Sequence, residues 1–292
     1  MLHFLRAHGL GNDYIVLDLR EPRTPPTPAA IRLLCDLHEG LAGDGVLVRV
    51  PARPPAFGLR IFNPDGSEAE KSGNGVRIFV RALLHAGLIS TDADLLTPGG
   101  RVTARVIPSS GSDPVQIEAD MGAPEHRAAR VPFLSDTEVA LDVPLELSEG
   151  SVIGSAVSMG NPHFVIFTSQ LNDSDVVRLG PQIECHPRFP NRTNVQWAQV
   201  SAPGNVQVRI WERGAGMTRA SGSSSCAVVA AGIRTGRLAK EVAVHMPGGT
   251  LMVRMNEEGH LLQTGPVALI CEGTISTDLQ HRLAALDPDC FG

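Results

Sequence analysis

The sequence predicts a mixed α/β protein of two pseudo-symmetric domains, each mostly sheet built around one main helix. Three observations carry this. The chain repeats itself at a fixed shift of 149 residues, short apolar runs outnumber helical stretches, and each repeat holds one well-formed helical segment behind a glycine-rich corner. Arg60-Ile61-Phe62-Asn63 returns as Arg209-Ile210-Trp211-Glu212, Ser72-Gly73 as Ser221-Gly222, and Gly87 as Gly236. Pro98-Gly99-Gly100 returns as Pro247-Gly248-Gly249, and Gly11-Asn12 as Gly160-Asn161. A period of domain size is not a solenoid of small stacked units. Two such copies facing each other can form one cleft.

The runs Tyr14-Ile15-Val16-Leu17, Val46-Leu47-Val48, Leu59-Arg60-Ile61-Phe62, Phe164-Val165-Ile166-Phe167 and Val206 to Ile210 are short, apolar and bounded by turn residues, so they predict strands. Helical character is confined to 28–37, 75–86 and 223–234, with a further segment at 278–285. In the 75–86 helix, Val76, Phe79, Val80, Leu83 and Leu84 fall at helical spacing, and Arg77, Arg81 and His85 mark a polar stripe expected to touch water. The 223–234 helix is apolar all round through Cys226 to Ile233, as expected of a helix enclosed by its own sheet. Gly87 and Gly236 stand where left-handed C-terminal caps are expected. Ser109 to Ser112 and the region 125–150 read as a less ordered link, which places the first domain at 1–120 and the second at 121–274. The tail from about 275 to 292 is expected to pack back on the first domain.

Charge and cysteine usage narrow the function. With 25 Lys and Arg against 31 Asp and Glu, the net charge of −6 offers no electrostatic footprint for nucleic acid, and a small polar ligand suits the chain better. Five widely spaced cysteines without a Cys-x-x-Cys pair indicate neither a disulfide framework nor a zinc site. No apolar stretch approaches membrane-spanning length and the N-terminus lacks a leader pattern, so a cytoplasmic, membrane-free protein is expected. Aromatic residues make up only 4% of the chain, with Tyr14 the single tyrosine, which leaves packing to Val, Leu, Ile and Ala.

The two corners run from Asn63 to Gly75 and from Glu212 to Ser225, and each ends at a helix start. The amides of Gly73, Asn74, Gly222 and Ser223, with the positive end of the helix dipole, suit a carboxylate or phosphate. Taken singly, a serine before a helix is also an ordinary N-cap. Taken together, Ser72 and Ser221 could address one substrate atom from opposite faces, which is the geometry of a two-base racemase.

Six stretches in order resemble the diaminopimelate epimerase family across nearly the whole chain. They are His8-Gly9-Leu10-Gly11-Asn12-Asp13, Asn63 to Glu68, Ser72-Gly73-Asn74-Gly75, Met159-Gly160-Asn161-Pro162-His163, Phe189 to Val195, and Glu212 to Gly216. The resemblance implies two domains, each a mostly antiparallel, barrel-like sheet around a central helix, with the active site in the interdomain cleft. It implies a cofactor-free interconversion of LL- and meso-diaminopimelate in lysine and peptidoglycan biosynthesis, an amino acid as the small-molecule partner, and a protein that is often a homodimer.

Carried over position by position, the resemblance implies that Ser72 and Ser221 stand at the two proton-transferring positions, which are cysteines in the family. A thiol ionises near pKa 8.5, whereas a serine hydroxyl is a much weaker acid and needs a strong helper. His163 and Glu212 match the residues that tune those groups. Taken alone, His163 could be a strand residue bonded to backbone, and Glu212 the ion-pair partner of Arg213. Asn12, Asn63, Asn161 and Asn194 match residues that hold the substrate's polar ends, although each could equally be a turn residue. Arg213 fits a bidentate grip on a distal carboxylate. Cys226 lies five residues past Ser221, about 7.5 Å along a helix and on another face, so it reads as core. Gly45, Lys71, Met217, Arg219 and Ser223-Ser224-Ser225 also depart from the family pattern, which favours a natural serine-bearing branch. The alternatives are a serine-type lyase or isomerase on a related amino acid, and a catalytically weak amino-acid-binding paralogue.

Overall fold

The computed structural model describes residues 2–108, 114–148 and 150–292. The Ser109–Ser112 link therefore lies outside the described residues. The chain divides into two compact units, Met1–Ala119 with Gly265–Gly292, and Asp120–Thr264. The second boundary falls ten residues before the one read from the sequence, because the last long strand continues past Thr264 as a partner of the first strand.

The first unit contains β1 (His3–Gly9), β2 (Asn12–Leu17), α1 (Pro28–Cys35), β3 (Val46–Val50), β4 (Phe57–Phe62), β5 (Glu68–Ala69), α2 (Gly73–His85), β6 (Asp92–Thr97), β7 (Gly100–Ile107) and β8 (Val115–Asp120). Strand pairing runs β1–β2–β3–β4–β6–β7–β8, antiparallel except for the parallel β2–β3 and β4–β6 pairs. The second unit contains β9 (Val143–Leu147), β10 (Gly150–Ser158), β11 (Pro162–Phe167), α3 (Asp173–Glu184), β12 (Asn194–Ala202), β13 (Asn205–Glu212), β14 (Gly216–Thr218), α4 (Gly222–Arg234), β15 (Glu241–Met246) and β16 (Gly249–Met255), and β17 (Leu261–Thr274) begins in it and belongs to the first unit from Gly265 onward. The chain closes with α5 (Thr277–Leu286) and α6 (Pro288–Phe291). Because β17 pairs with both β1 and β8, the first sheet returns on itself as a barrel. In the second unit, β11–β12 and β13–β15 are the parallel pairs, at the places equivalent to those of the first.

The sequence repeat is a structural one. α2 and α4 each span 13 residues and are offset by the same 149, as are β6 and β15. Gly87 and Gly236 both take positive φ, +68° and +73°, just past the two helices. There the amides of Leu88 and Arg237 reach back to the carbonyls of Leu83 and Gly232, the closure that a left-handed residue permits.

α2 packs against β1, β2 and β7, and α4 against β10, β11, β12 and β16. Ile78, Phe79 and Leu83 are fully buried, each contributing about 1.5–3 kcal/mol of hydrophobic stabilisation. Of the polar stripe expected on α2, His85 lies at the surface but the two arginines do not. Arg77 is 0% exposed and Arg81 is also buried. Arg77 bonds the Gly73 carbonyl at 3.3 Å and the Asn74 side chain through its terminal guanidinium nitrogens, which offsets part of the cost of burying its charge. A second core lies around α1, where Ile31 and Leu34 meet Leu17, Val46 and the C-terminal residues Leu283 and Phe291.

Candidate functional site

Both serines sit at the N-cap of their helix in extended backbone, Ser72 at φ −137°, ψ 123° and Ser221 at φ −147°, ψ 128°. The loop before each is pinned in the same way. The Gly99 amide donates to the Glu70 carbonyl at 2.9 Å, and the Gly248 amide to the Arg219 carbonyl at 2.8 Å. The repeated Pro-Gly-Gly turn thus fixes the approach of the chain to each serine. Gly99 must lack a side chain here, since a Cβ would stand 2.9 Å from that carbonyl oxygen.

The serines differ in what their hydroxyls do. Ser72 Oγ accepts from the Gly75 amide at 3.1 Å, an ordinary cap, and lies 3.5 Å from the Tyr14 hydroxyl. Ser221 makes no side-chain cap, and its hydroxyl acts on the Glu212 carboxyl group, favouring the ionised form. Glu212 also accepts from Thr218 Oγ1 at 2.6 Å. Burial pushes the Glu212 pKa up, and the two hydroxyl donors only partly oppose this. Glu212 is therefore engaged with Thr218 and influenced by Ser221, not acting as a simple ion-pair partner of Arg213.

His163, also buried, has both ring nitrogens engaged. Nε2 lies 2.9 Å from Asn161 Oδ1, and Nδ1 accepts from Gln196 Nε2 at 3.0 Å, which also donates to Ser224 Oγ at 3.0 Å. This network assigns the Nε2–H tautomer. Desolvation, with the Arg213 charge adding to it, lowers the His163 pKa to about 3 against a small opposing effect of Gln196. The ring is a neutral strut that fixes the Asn161 amide.

The remaining candidates fall into two groups. At the first corner Asn74 Nδ2 donates to Asn12 Oδ1 at 3.1 Å, and Asn12 Nδ2 donates to Asp44 at 3.0 Å. Asn63 bonds Ser67 Oγ at 3.0 Å in the turn after β4. At the second corner Asn194 Oδ1 accepts the Arg213 amide at 3.0 Å while its Nδ2 donates to the Pro162 carbonyl at 2.9 Å. The Arg213 guanidinium reaches the Asn191 carbonyl at 3.1 Å. Gly73, Asn74 and Gly222 are buried in the first helical turns, with Ser223 half-buried. Cys226 is fully buried in α4, as expected of core.

Sequence reasoning missed Glu184. At the end of α3 its buried carboxylate accepts from the Gly214 amide and from Trp211 Nε1, both at 2.7 Å, and pairs with Arg192. It thereby holds the 211–214 segment that carries Glu212 and Arg213. Gln196 and Ser224 were missed as partners of His163; one stands just past the matched Phe189–Val195 stretch and the other within the second corner, and no local signal marks either. A cavity of about 330 Å³ lined by Ile153, Ile166, Phe167, Leu179 and Trp197 contains none of these corner residues. Among the described residues no cluster of three or more His, Cys, Asp or Glu side chains could hold a metal ion, and no helix is long and apolar enough to cross a membrane.

A duplicated mostly antiparallel fold, with matched serines at two helix starts and a carboxyl group behind one, defines an isomerase of the epimerase and racemase type. A probable proline racemase from Agrobacterium radiobacter has the same fold, with a TM-score of 0.71 at 17% identity over 95% of this chain and 94% of that one. The chain belongs to the diaminopimelate epimerase family, whose model matches residues 4–127 and 155–270. It is 37% identical to diaminopimelate epimerase 2 of Nostoc sp. over 95% of this chain and 97% of that protein. It is 39% identical to the diaminopimelate epimerase of Azoarcus sp. over 94% and 98%.

Proposed function

We propose that the protein interconverts LL- and meso-diaminopimelate by two proton transfers at Cα, with Ser72 and Ser221 as the residues that touch the reacting carbon. The observation that carries this is the matched placement of Ser72 and Ser221 at the N-caps of the two repeated helices, with the Glu212 carboxyl group close enough to Ser221 for its hydroxyl to favour the ionised form. A serine hydroxyl alone is too weak an acid for this work, and the Glu212 carboxyl group on which Ser221 acts supplies the missing basicity. Ser221 Oγ takes the Cα proton as its own proton passes to the Glu212 carboxylate. The raised pKa of Glu212 suits that exchange, because a general base works best when its pKa approaches the working pH.

The electron pair released at Cα spreads into the neighbouring carboxylate of the substrate. The helix-start amides of Gly73, Asn74, Gly222 and Ser223 and the dipoles behind them favour that developing charge. Asn12, Asn63, Asn161 and Asn194 hold the ammonium and carboxylate groups, and Arg213 grips the distal carboxylate. His163 contributes orientation, through Asn161. Incubation with LL-diaminopimelate followed by chiral chromatography tests the reading. Appearance of the meso isomer, and of LL from meso, is expected. A chromatogram that stays unchanged from both sides refutes epimerisation, and proton exchange without inversion points to a one-base lyase or isomerase.

A further inference from the structure

Glu212 backs only one of the two serines. The group beside the other is Tyr14, the single tyrosine of the chain. It lies on β2, is 6% exposed, and places its hydroxyl oxygen 3.5 Å from Ser72 Oγ across 58 residues of sequence. That separation is at the long end of hydrogen-bond reach, as is common for catalytic contacts before substrate tightens them. The ring is packed against the backbone of Gly45. A Cβ there would stand 2.6 Å from Tyr14 Cε1 and 3.0 Å from Cδ1, so the absence of a side chain at position 45 is what leaves the ring its place.

A serine hydroxyl has one proton and two lone pairs. At Ser72 one lone pair is taken by the Gly75 amide. The second faces a phenol, an acid of ordinary pKa about 10 and far stronger than an aliphatic hydroxyl. A Tyr14 O–H donated to Ser72 leaves the Ser72 proton free to point at a substrate carbon.

We propose that Tyr14 holds the exchangeable proton of the first corner and passes it through Ser72, as Glu212 does through Ser221 at the second. This rests on the epimerase reading above. In delivery, the Cα electron pair forms the new C–H bond with the Ser72 proton, the Ser72 oxygen recovers a proton from Tyr14, and a phenolate remains. In the reverse direction the Ser72 oxygen takes the Cα proton, the Cα–H electrons remain on the substrate, and the phenolate takes the Ser72 proton. Tyr14 does not touch the substrate and is a positioning residue for that proton. The charged and titratable groups on the elements around it are Asp13 on β2, His3, Arg6 and His8 on β1, Asp44 before β3 and Arg49 on it, Lys71 before α2, and Arg77, Arg81 and His85 on α2. Asp13 pairs with Arg6, Asp44 accepts from Asn12, and Arg77 bonds Asn74.

Because the chain has one tyrosine, global replacement with 3,5-difluorotyrosine alters Tyr14 alone and lowers its phenol pKa without changing the ring. The test follows deuterium incorporation at Cα of LL- and meso-diaminopimelate against pH for the parent, the fluorinated protein and Tyr14→Phe. In the direction in which Glu212 accepts the proton, the basic limb of the kcat profile is expected to move to lower pH on fluorination. Tyr14→Phe is expected to lose about 10²-fold in kcat with little change in KM. Exchange in the parent with an unmoved basic limb overturns the role of Tyr14 and leaves the epimerase reading standing. A parent that exchanges no Cα proton overturns both. Should Tyr14→Phe fold poorly, the fluorinated protein carries the decision.

Discussion

The Ser72 hydroxyl caps the Gly75 amide at 3.1 Å, whereas Ser221, its counterpart in the other half, makes no cap and acts instead on the half-buried Glu212 carboxyl group. The duplicated fold has therefore kept the positions of the two serines and diverged in what supports them. If Glu212 is the proton acceptor, Glu212→Gln keeps the shape and removes the base. Its kcat should fall about 10²–10⁴-fold. In the parent the same rate should decline on acidification at a pH above the ordinary 4.5 of a glutamate, because burial raises that pKa. Rate measurements from pH 4 to 9 on both proteins check this.

His163 makes stability depend on pH with a defined sign. Its pKa falls from 6.5 to about 3 on folding, so between those values the unfolded chain holds a proton that the folded chain does not. Stability from this group is full above pH 6.5 and is lost as pH falls toward about 3, by an amount on the order of several kcal/mol. Urea unfolding at pH 7, 5 and 4 should show a shallower loss for His163→Gln than for the parent.

Glu184 supports the segment that bears Arg213, and Glu184→Gln should weaken it. The amide cannot accept from Gly214, Trp211 and Arg192 as the carboxylate does. We expect about 1–3 kcal/mol of destabilisation. Steady-state kinetics should show a higher KM with a smaller effect on kcat, since Arg213 is assigned to substrate binding.

The repeated helix stop can be tested at either copy. Gly236 holds φ +73°, so Gly236→Ala should cost about 1 kcal/mol in chemical denaturation, and Gly87→Ala a similar amount. Activity should be retained in both, as neither residue belongs to a corner.

Replacing both serines with cysteine addresses the chemistry itself. A thiolate forms far more readily than an alkoxide, and a helix N-terminus favours it. Ser72→Cys with Ser221→Cys should raise Cα proton exchange above the parent and make it sensitive to thiol alkylation. An unchanged rate means that the serines do not carry the proton.

Much of this is legible in the sequence. The 149-residue shift locates α2 and α4, their glycine stops and both serines, because turn glycines and helix caps are dictated by local backbone geometry. α3 is hidden: Pro181 and Gly180 break its helical pattern, although Asn172 caps it and Asp173 and Asp175 mark its first turn. With α3 goes Glu184. The buried Arg77 reads as surface because a charged stripe normally faces water, and only the fold reveals the Gly73 and Asn74 acceptors beside it. Tyr14 and Gln196 owe their roles to neighbours 58 and 33 residues away, which no local pattern encodes.

The central claim is tested most directly by counting deuterium at Cα when LL- and meso-diaminopimelate are each incubated with the protein in D2O. The account predicts that product of inverted configuration carries one deuteron at Cα from either starting isomer, and that Ser72→Ala and Ser221→Ala each stop inversion. Inversion at the parent rate in either alanine variant, or retention of every Cα proton by the parent, would contradict it.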